Sequence, residues 1–305
     1  MAVRLVQRPG PAASLVIRGA RVLDPAAGID EVRDLVVRDG VVGGDPEGLE
    51  VVDGAGMVAV PGFVDPHVHL RTPGREDLED IASGTAAAAA GGFVTIVAMP
   101  NTSPVVDNAA VLGTLLERGE QEAVVRVGFL AAISVGQKGQ ELTEQAEMAA
   151  LGAAGFSDDG HPVSDARVMR RALQYQAITG LPLVLHEEDV RLSGRGVMHE
   201  GAVASRLGLE GIPSISESVA VARDAALAEY EGGWIHICHV SAAETVEEIR
   251  RAKARGVRLV PYVAYTPAWA TESPVAGQED PEHWKRPPRD PAEFGEVMQT
   301  LAARY

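Results

Sequence analysis

The segment Asp65-Pro66-His67-Val68-His69-Leu70-Arg71 carries the sharpest chemistry in the sequence. Side chains alternate along a strand, so His67 and His69 share one face while Val68 takes the other. Two neutral imidazoles on one face are natural ligands for zinc. Three later segments add to them. GFSDDG offers Asp158 and Asp159, LVLHEED offers His186 followed by Glu187, Glu188 and Asp189, and IHICHVS offers His236 and His239. His236 and His239 are three apart and cannot face the same way on a regular strand. His239 lies nearer the strand end and is the better ligand, with His236 left as structural. Glu187 to Asp189 read as a solvated helix start, and His161, His199 and His283 as surface loop residues. Arg71 precedes a Pro73-Gly74 turn and suits a bidentate grip on a substrate carboxylate. Asn101, in Met99-Pro100-Asn101-Thr102, offers an amide to substrate.

Something must bring these groups to one place. Apolar strand-like runs at 63–70, 94–99, 124–131, 153–157, 181–186, 234–240 and 257–264 alternate with helical patterns at 79–90, 106–120, 141–151, 165–179, 215–230 and 242–255. Such alternation predicts βα units and a parallel sheet. Seven units point to an α/β fold, a (β/α)8 TIM-type barrel lacking its eighth βα unit. The histidines and aspartates then fall at C-terminal strand ends, where barrel active sites lie. Residues 14–60 read as short β segments, giving a small sandwich-like portion. The domains expected are thus 1–60, the N-terminal part of a composite β domain, and 61–305, an incomplete barrel. The Pro- and acid-rich stretch 265–290 reads either as a loop over the barrel mouth or as a disordered stretch, and 291–304 as an amphipathic helix.

Composition narrows the partners. The 305 residues carry 27 Lys and Arg against 43 Asp and Glu, a formal charge of −16. That balance argues against nucleic acid and anionic membranes as partners. One cysteine, Cys238, excludes an intrachain disulfide and fits a reducing cytoplasm. No secretory signal or membrane span is expected.

Taken in order, PGFVDPHVHLRTPG, GGFVTIVAMPNTSPVVDN, GFSDDGHPV, HEED, GLEGIPSISESVAVARD and HICHVS resemble the bacterial type I dihydroorotases of the amidohydrolase superfamily. The resemblance runs from about residue 14 to 260. It implies a barrel with one or two zinc ions beside a small β domain. It implies His67, His69, Asp159, His186 and His239 as metal ligands, with Arg71 and Asn101 holding the substrate carboxylate. Many cyclic amidohydrolases use a carboxylated lysine at the fourth strand; Asp159 is similar to the carboxylate that replaces it in type I dihydroorotases. The implied reaction interconverts N-carbamoyl-L-aspartate and L-dihydroorotate in pyrimidine biosynthesis. Implied partners are that small molecule, further copies of the chain, and aspartate transcarbamoylase.

The sequence also departs from the family pattern. The family's proton shuttle is an aspartate at the eighth strand, in a motif resembling A-T-D-H-A-P-H, and the 305 residues end at Tyr305 before any such strand. The catalytic acid–base group therefore stays unassigned. Thr266-Pro267 is followed by Ala268, Trp269 and Ala270 where the family has T-P-H-H-L, and Lys285-Arg286-Pro287-Pro288-Arg289 lacks the family's asparagine. Low stability as a monomer and weak activity are expected unless another polypeptide covers the gap. Two other readings follow: a non-catalytic dihydroorotase-like subunit supporting aspartate transcarbamoylase, or a hydantoinase- or allantoinase-like enzyme. Zinc content separates the enzyme from the scaffold.

Overall fold

The computed structural model describes residues 2–262. Near the N-terminus, β1 (Leu15–Asp24) pairs antiparallel with β2 (Ile29–Arg38), which pairs with β3 (Val41–Val42). β4 (Glu50–Asp53) and β5 (Val58–Ala59) run parallel to β1. Alternation along β1 buries Val16, Ala20 and Val22. Its register slips between Ile17 and Ala20, where Gly19 takes φ +69°. Glycine meets that left-handed bulge without the Cβ penalty.

The second part alternates strand and helix. β6 (Phe63–Val68), α1 (Ile81–Ala90), β7 (Phe93–Ala98), α2 (Ala109–Glu122) and β8 (Arg126–Phe129) come first. There follow α3 (Gln145–Leu151), α4 (Ala166–Thr179), β9 (Leu183–Leu185), α5 (Val190–Ser193), β10 (Met198–His199), α6 (Ala202–Leu207) and β11 (Gly211–Ile212). α7 (Ile215–Glu231), β12 (Trp234–Ile237), α8 (Ala243–Ala254) and β13 (Arg258–Pro261) complete the described chain. Parallel pairing runs β6-β7-β8, continues through Phe156, bridged to both Ala131 and Leu183, and ends β9-β12-β13. Seven successive parallel positions therefore follow chain order, as the alternation in the sequence requires. The end of the last strand expected at 257–264, the stretch 265–290, the helix at 291–304, His283 and Lys285 to Arg289 lie outside the described residues. So does any eighth βα unit.

Local chemistry sets the helix boundaries. Asn108 and Asp165 cap α2 and α4 by accepting from the backbone N–H groups two and three residues further on. Asp80 and Ser83 form a reciprocal capping box on α1. On α2, Leu112, Leu115, Leu116 and Gly119 are buried, the i, i+3, i+4, i+7 stripe of a helix lying on a sheet. The core beneath includes Ile96, Phe156, Leu183, Ile235 and Ile237. Each such burial contributes roughly 1.5–3 kcal/mol.

One strand departs from expectation. The run 153–157 forms no regular strand and pairs only at Phe156. Val6 exchanges both backbone hydrogen bonds with Val127 at 2.9 and 2.8 Å. A residue's N–H and C=O point to the same side of a strand, so Val6 sits on the β8 edge facing away from β7. It occupies the start of the edge that the fourth strand uses at Ala131. This contact between Val6 and β8 is not encoded in any local pattern.

Candidate metal centre

The strand ends bring His67, His69, His186 and His239 around one carboxylate, that of Asp159. Asp159 Oδ1 lies 3.6 Å from His67 Nε2, and 3.8 Å from both His186 Nδ1 and His239 Nε2. Its Oδ2 lies 3.6 Å from His69 Nε2. Donor atoms of His67, Asp159 and His239 all fall within 4.8 Å of one another. Two donors about 2.0–2.2 Å from one tetrahedral zinc stand roughly 3.3–3.6 Å apart. The spacings are long for hydrogen bonds and close to that value, so the donor set fits a divalent cation.

Electrostatics points the same way for His67 and Asp159. His67 Nδ1 is buried with no hydrogen-bond partner among the described residues. Burial pushes the His67 pKa down to about 4, aided by the neighbouring histidines and opposed by Asp159, so the ring stays neutral. Burial works against a charged Asp159 carboxylate, but the imidazoles of His186, His239, His67 and His69 around it hold it well below the usual range. A neutral His67 ring and an ionised Asp159 carboxylate are the forms in which these two groups would hold a metal.

A second layer fixes these rings. The His69 Nδ1–H donates to Asn101 Oδ1 at 3.0 Å, and Asn101 Nδ2 donates to Asp159 Oδ2 at 3.1 Å. Asn101, expected on the substrate, thus spends part of its amide on two ligands, keeping one N–H and one lone pair. His186 Nε2 lies 3.1 Å from Glu188 Oε2, which leaves Nδ1 to face the centre. Burial opposes a charge on His186, yet Asp159 and Glu188 outweigh it and raise its pKa.

Arg71 follows the strand at φ +55°, and His239 holds φ +34°. Left-handed backbone is costly for such residues and persists where the surroundings enforce it. Among the described residues no hydrogen bond or ion pair engages the half-buried Arg71 guanidinium. The turn after it is fixed: Ser103 N–H donates to the Pro73 carbonyl at 3.0 Å. A Cβ on Gly74 would stand 2.2 Å from the Ser103 carbonyl, so only glycine fits between the Arg71 and Asn101 loops.

Several acids behave differently from their sequence reading. Glu187 is buried rather than solvated, Glu188 holds His186, and only Asp189 serves as a helix start, capping α5. Periodicity could not separate three consecutive acids. The Asp158 carboxylate is instead taken up by the chain after β8, accepting from Ile133 N at 2.8 Å, Ser134 N at 3.1 Å and the Ser134 hydroxyl. Burial pushes its pKa up to about 6 against those hydrogen bonds.

His161 is exposed, as expected of a surface residue. His199 sits on β10 rather than in a loop, and lines a cavity of about 600 Å³ with His186, Glu188 and His239. The same cavity is lined by Glu217, which the sequence reading missed. Its carboxylate accepts from Ser241 N at 3.1 Å and Ala242 N at 3.0 Å. Glu217 thereby caps α8, whose own N-cap residue is Ala242, and anchors the chain just beyond His239. His236 has a buried Nε2 without a partner among the described residues. No helix among the described residues is long and apolar enough to cross a membrane.

Comparison with known proteins agrees with this geometry. Residues 56–245 match the model of a family described as dihydro-orotase-like. A dihydroorotase of Anaeromyxobacter sp. (strain K) is 49% identical over 275 residues, spanning 88% of this chain and 60% of that one. Another, from Geobacter sp. (strain M21), is 42% identical over 295 residues, spanning 95% and 69%. This chain thus spans about 60% to 70% of these relatives' length. Among solved structures, L-hydantoinase from Arthrobacter aurescens matches with TM-score 0.67 at 22% identity, covering 82% of this chain and 58% of that one. D-hydantoinase from Bacillus sp. AR9 matches with TM-score 0.67 at 22% identity, covering 94% and 65%. At such identity these two speak for the fold alone.

Proposed function

The chain belongs to the dihydro-orotase-like family, and from that premise we propose that it carries the metal-binding barrel portion of a cyclic amidohydrolase acting on dihydroorotate. The supporting observation is the convergence of four imidazoles on the Asp159 carboxylate. In this reading His67, His69, Asp159, His186 and His239 hold one or two zinc ions. Zinc held there supplies a Lewis acid that lets water ionise near neutral pH and draws electron density from an amide carbonyl.

The protein's own groups bind and orient. Arg71, with its guanidinium unengaged among the described residues, grips the carboxylate of dihydroorotate or N-carbamoyl-L-aspartate by paired N–H donors. The N–H and lone pair left on Asn101 serve the same carboxylate. Asn101 and Glu188 keep the His69 and His186 rings turned toward the reacting centre. Ring opening needs a proton on the leaving nitrogen, and the ring-closing direction needs it removed. No described residue is assigned that shuttle.

On this view residues 1–60 are the N-terminal segment of a composite β domain, and 61–305 belong to the barrel. Assembly with further copies or with aspartate transcarbamoylase, and a cytoplasmic setting, come with the same reading. Purified protein with zinc should open L-dihydroorotate, followed by loss of its ultraviolet absorbance, and Arg71→Met should raise KM. Turnover of hydantoin or allantoin with none of dihydroorotate would overturn the substrate assignment. Absence of bound zinc would favour the non-catalytic subunit.

A further inference from the structure

Arg223, on α7, is not part of the site described above, yet it joins two elements that are. Its Nη1 donates to the Ser164 carbonyl at 2.9 Å and its Nη2 to the Val163 carbonyl at 2.9 Å. Both carbonyls belong to the loop that leaves Asp159. The same guanidinium forms a two-pronged ion pair with Asp224, Nε to Oδ1 and Nη2 to Oδ2, each at 2.7 Å. Asp224 is 1% exposed, and after burial itself its charge is what most raises the pKa of the buried Glu187 carboxyl, the residue next to His186. Arg223 and Asp224 also line a small internal cavity with Asp158 and His186. A planar fork satisfied on both sides fixes distance and angle as a lysine cannot.

We propose that Arg223 is a positioning residue that clamps the Asp159 loop to the His186 strand end, so that the two ligands meet in register before any cation arrives. Burying such an ion pair seldom adds net stability. Geometry is the better reason for its place: the ligands come from separate strand ends, and each loop alone is free to shift. Loss of a residue that orients metal ligands typically weakens binding 10- to 100-fold.

This inference rests on the metal-centre reading, and the test separates the two. Zinc affinity of the purified chain is measured by competition with a chromophoric chelator, and ligand geometry by the visible absorption of the cobalt(II)-loaded chain. Hydrogen exchange of residues 159–165 and 186–189 is followed without metal. Arg223→Met should bind zinc at least 10-fold more weakly, alter the cobalt spectrum and raise exchange in both segments; Arg223→Lys should restore part of each. Should Arg223→Met fail to fold, Asp224→Asn takes its place, with the same expected direction. A folded variant whose cobalt spectrum and exchange match the parent overturns the clamp. A parent chain that binds no zinc sinks the metal-centre reading instead, while the exchange comparison still decides the clamp.

Discussion

His186 Nδ1 stands 3.2 Å from His239 Nε2. In the neutral His186 ring, with Nε2–H directed at Glu188, Nδ1 presents a bare lone pair. His239 can meet it only with a proton, or both can turn their lone pairs to one cation. A cation satisfies Asp159 as well. Chelation should therefore lower the melting temperature of the metal-loaded chain, and readdition of zinc should restore it. Unchanged melting on chelation would remove the argument.

Neighbouring aspartates should behave oppositely. Asp159→Asn removes the charge at the focus of four imidazoles and should abolish tight zinc binding. Asp158→Asn keeps acceptors for Ile133 and Ser134 and should leave zinc content unchanged. Asp158→Ala should cost about 1–3 kcal/mol for each backbone N–H left unsatisfied. Metal analysis and urea unfolding of the three variants check this. Equal zinc loss in both Asn variants would contradict it.

Asn101→Ala should weaken zinc binding by about 10- to 100-fold, since it frees His69 and strips a donor from Asp159. Arg71→Met should leave zinc affinity alone and raise KM for a carboxylate substrate about 10- to 100-fold, the worth of a charged hydrogen bond. Isothermal titration with zinc and steady-state kinetics separate the two. An Asn101→Ala variant altered in KM alone would make Asn101 purely a substrate group.

His236 links stability to pH. Desolvation lowers its pKa to about 4 from an ordinary 6.5. The folded state keeps the ring neutral while the unfolded state protonates, so stability is present above pH 6.5 and lost as pH falls toward 4. The loss attributable to this residue is at most about 3 kcal/mol. His236→Asn should flatten the fall in urea midpoint across that range. An identical slope in both proteins would refute the assignment.

Periods of two and four in the apolar residues sufficed to read the βα alternation, because strand and helix patterns depend only on near neighbours. The same alternation placed His67 and His69 on one face, and carried Arg71, Asp159, His186 and His239 to strand ends. Other features depended on chain segments far apart in sequence. Which of Asp158 and Asp159 faces the imidazoles was suggested by resemblance, and in space it turns on whether Ile133 and Ser134 claim the first acid. Glu188 pairs with His186 while Glu187 is buried toward Asp224. Glu217 caps a helix 25 residues on, Arg223 spans two loops, and Val6 takes an edge near Val127. Local pattern fixes which way a side chain leaves its own strand or helix. What it then meets is decided when distant elements pack, because hydrogen bonds and burial at these sites are satisfied only by groups that the parallel strands and their helices bring together.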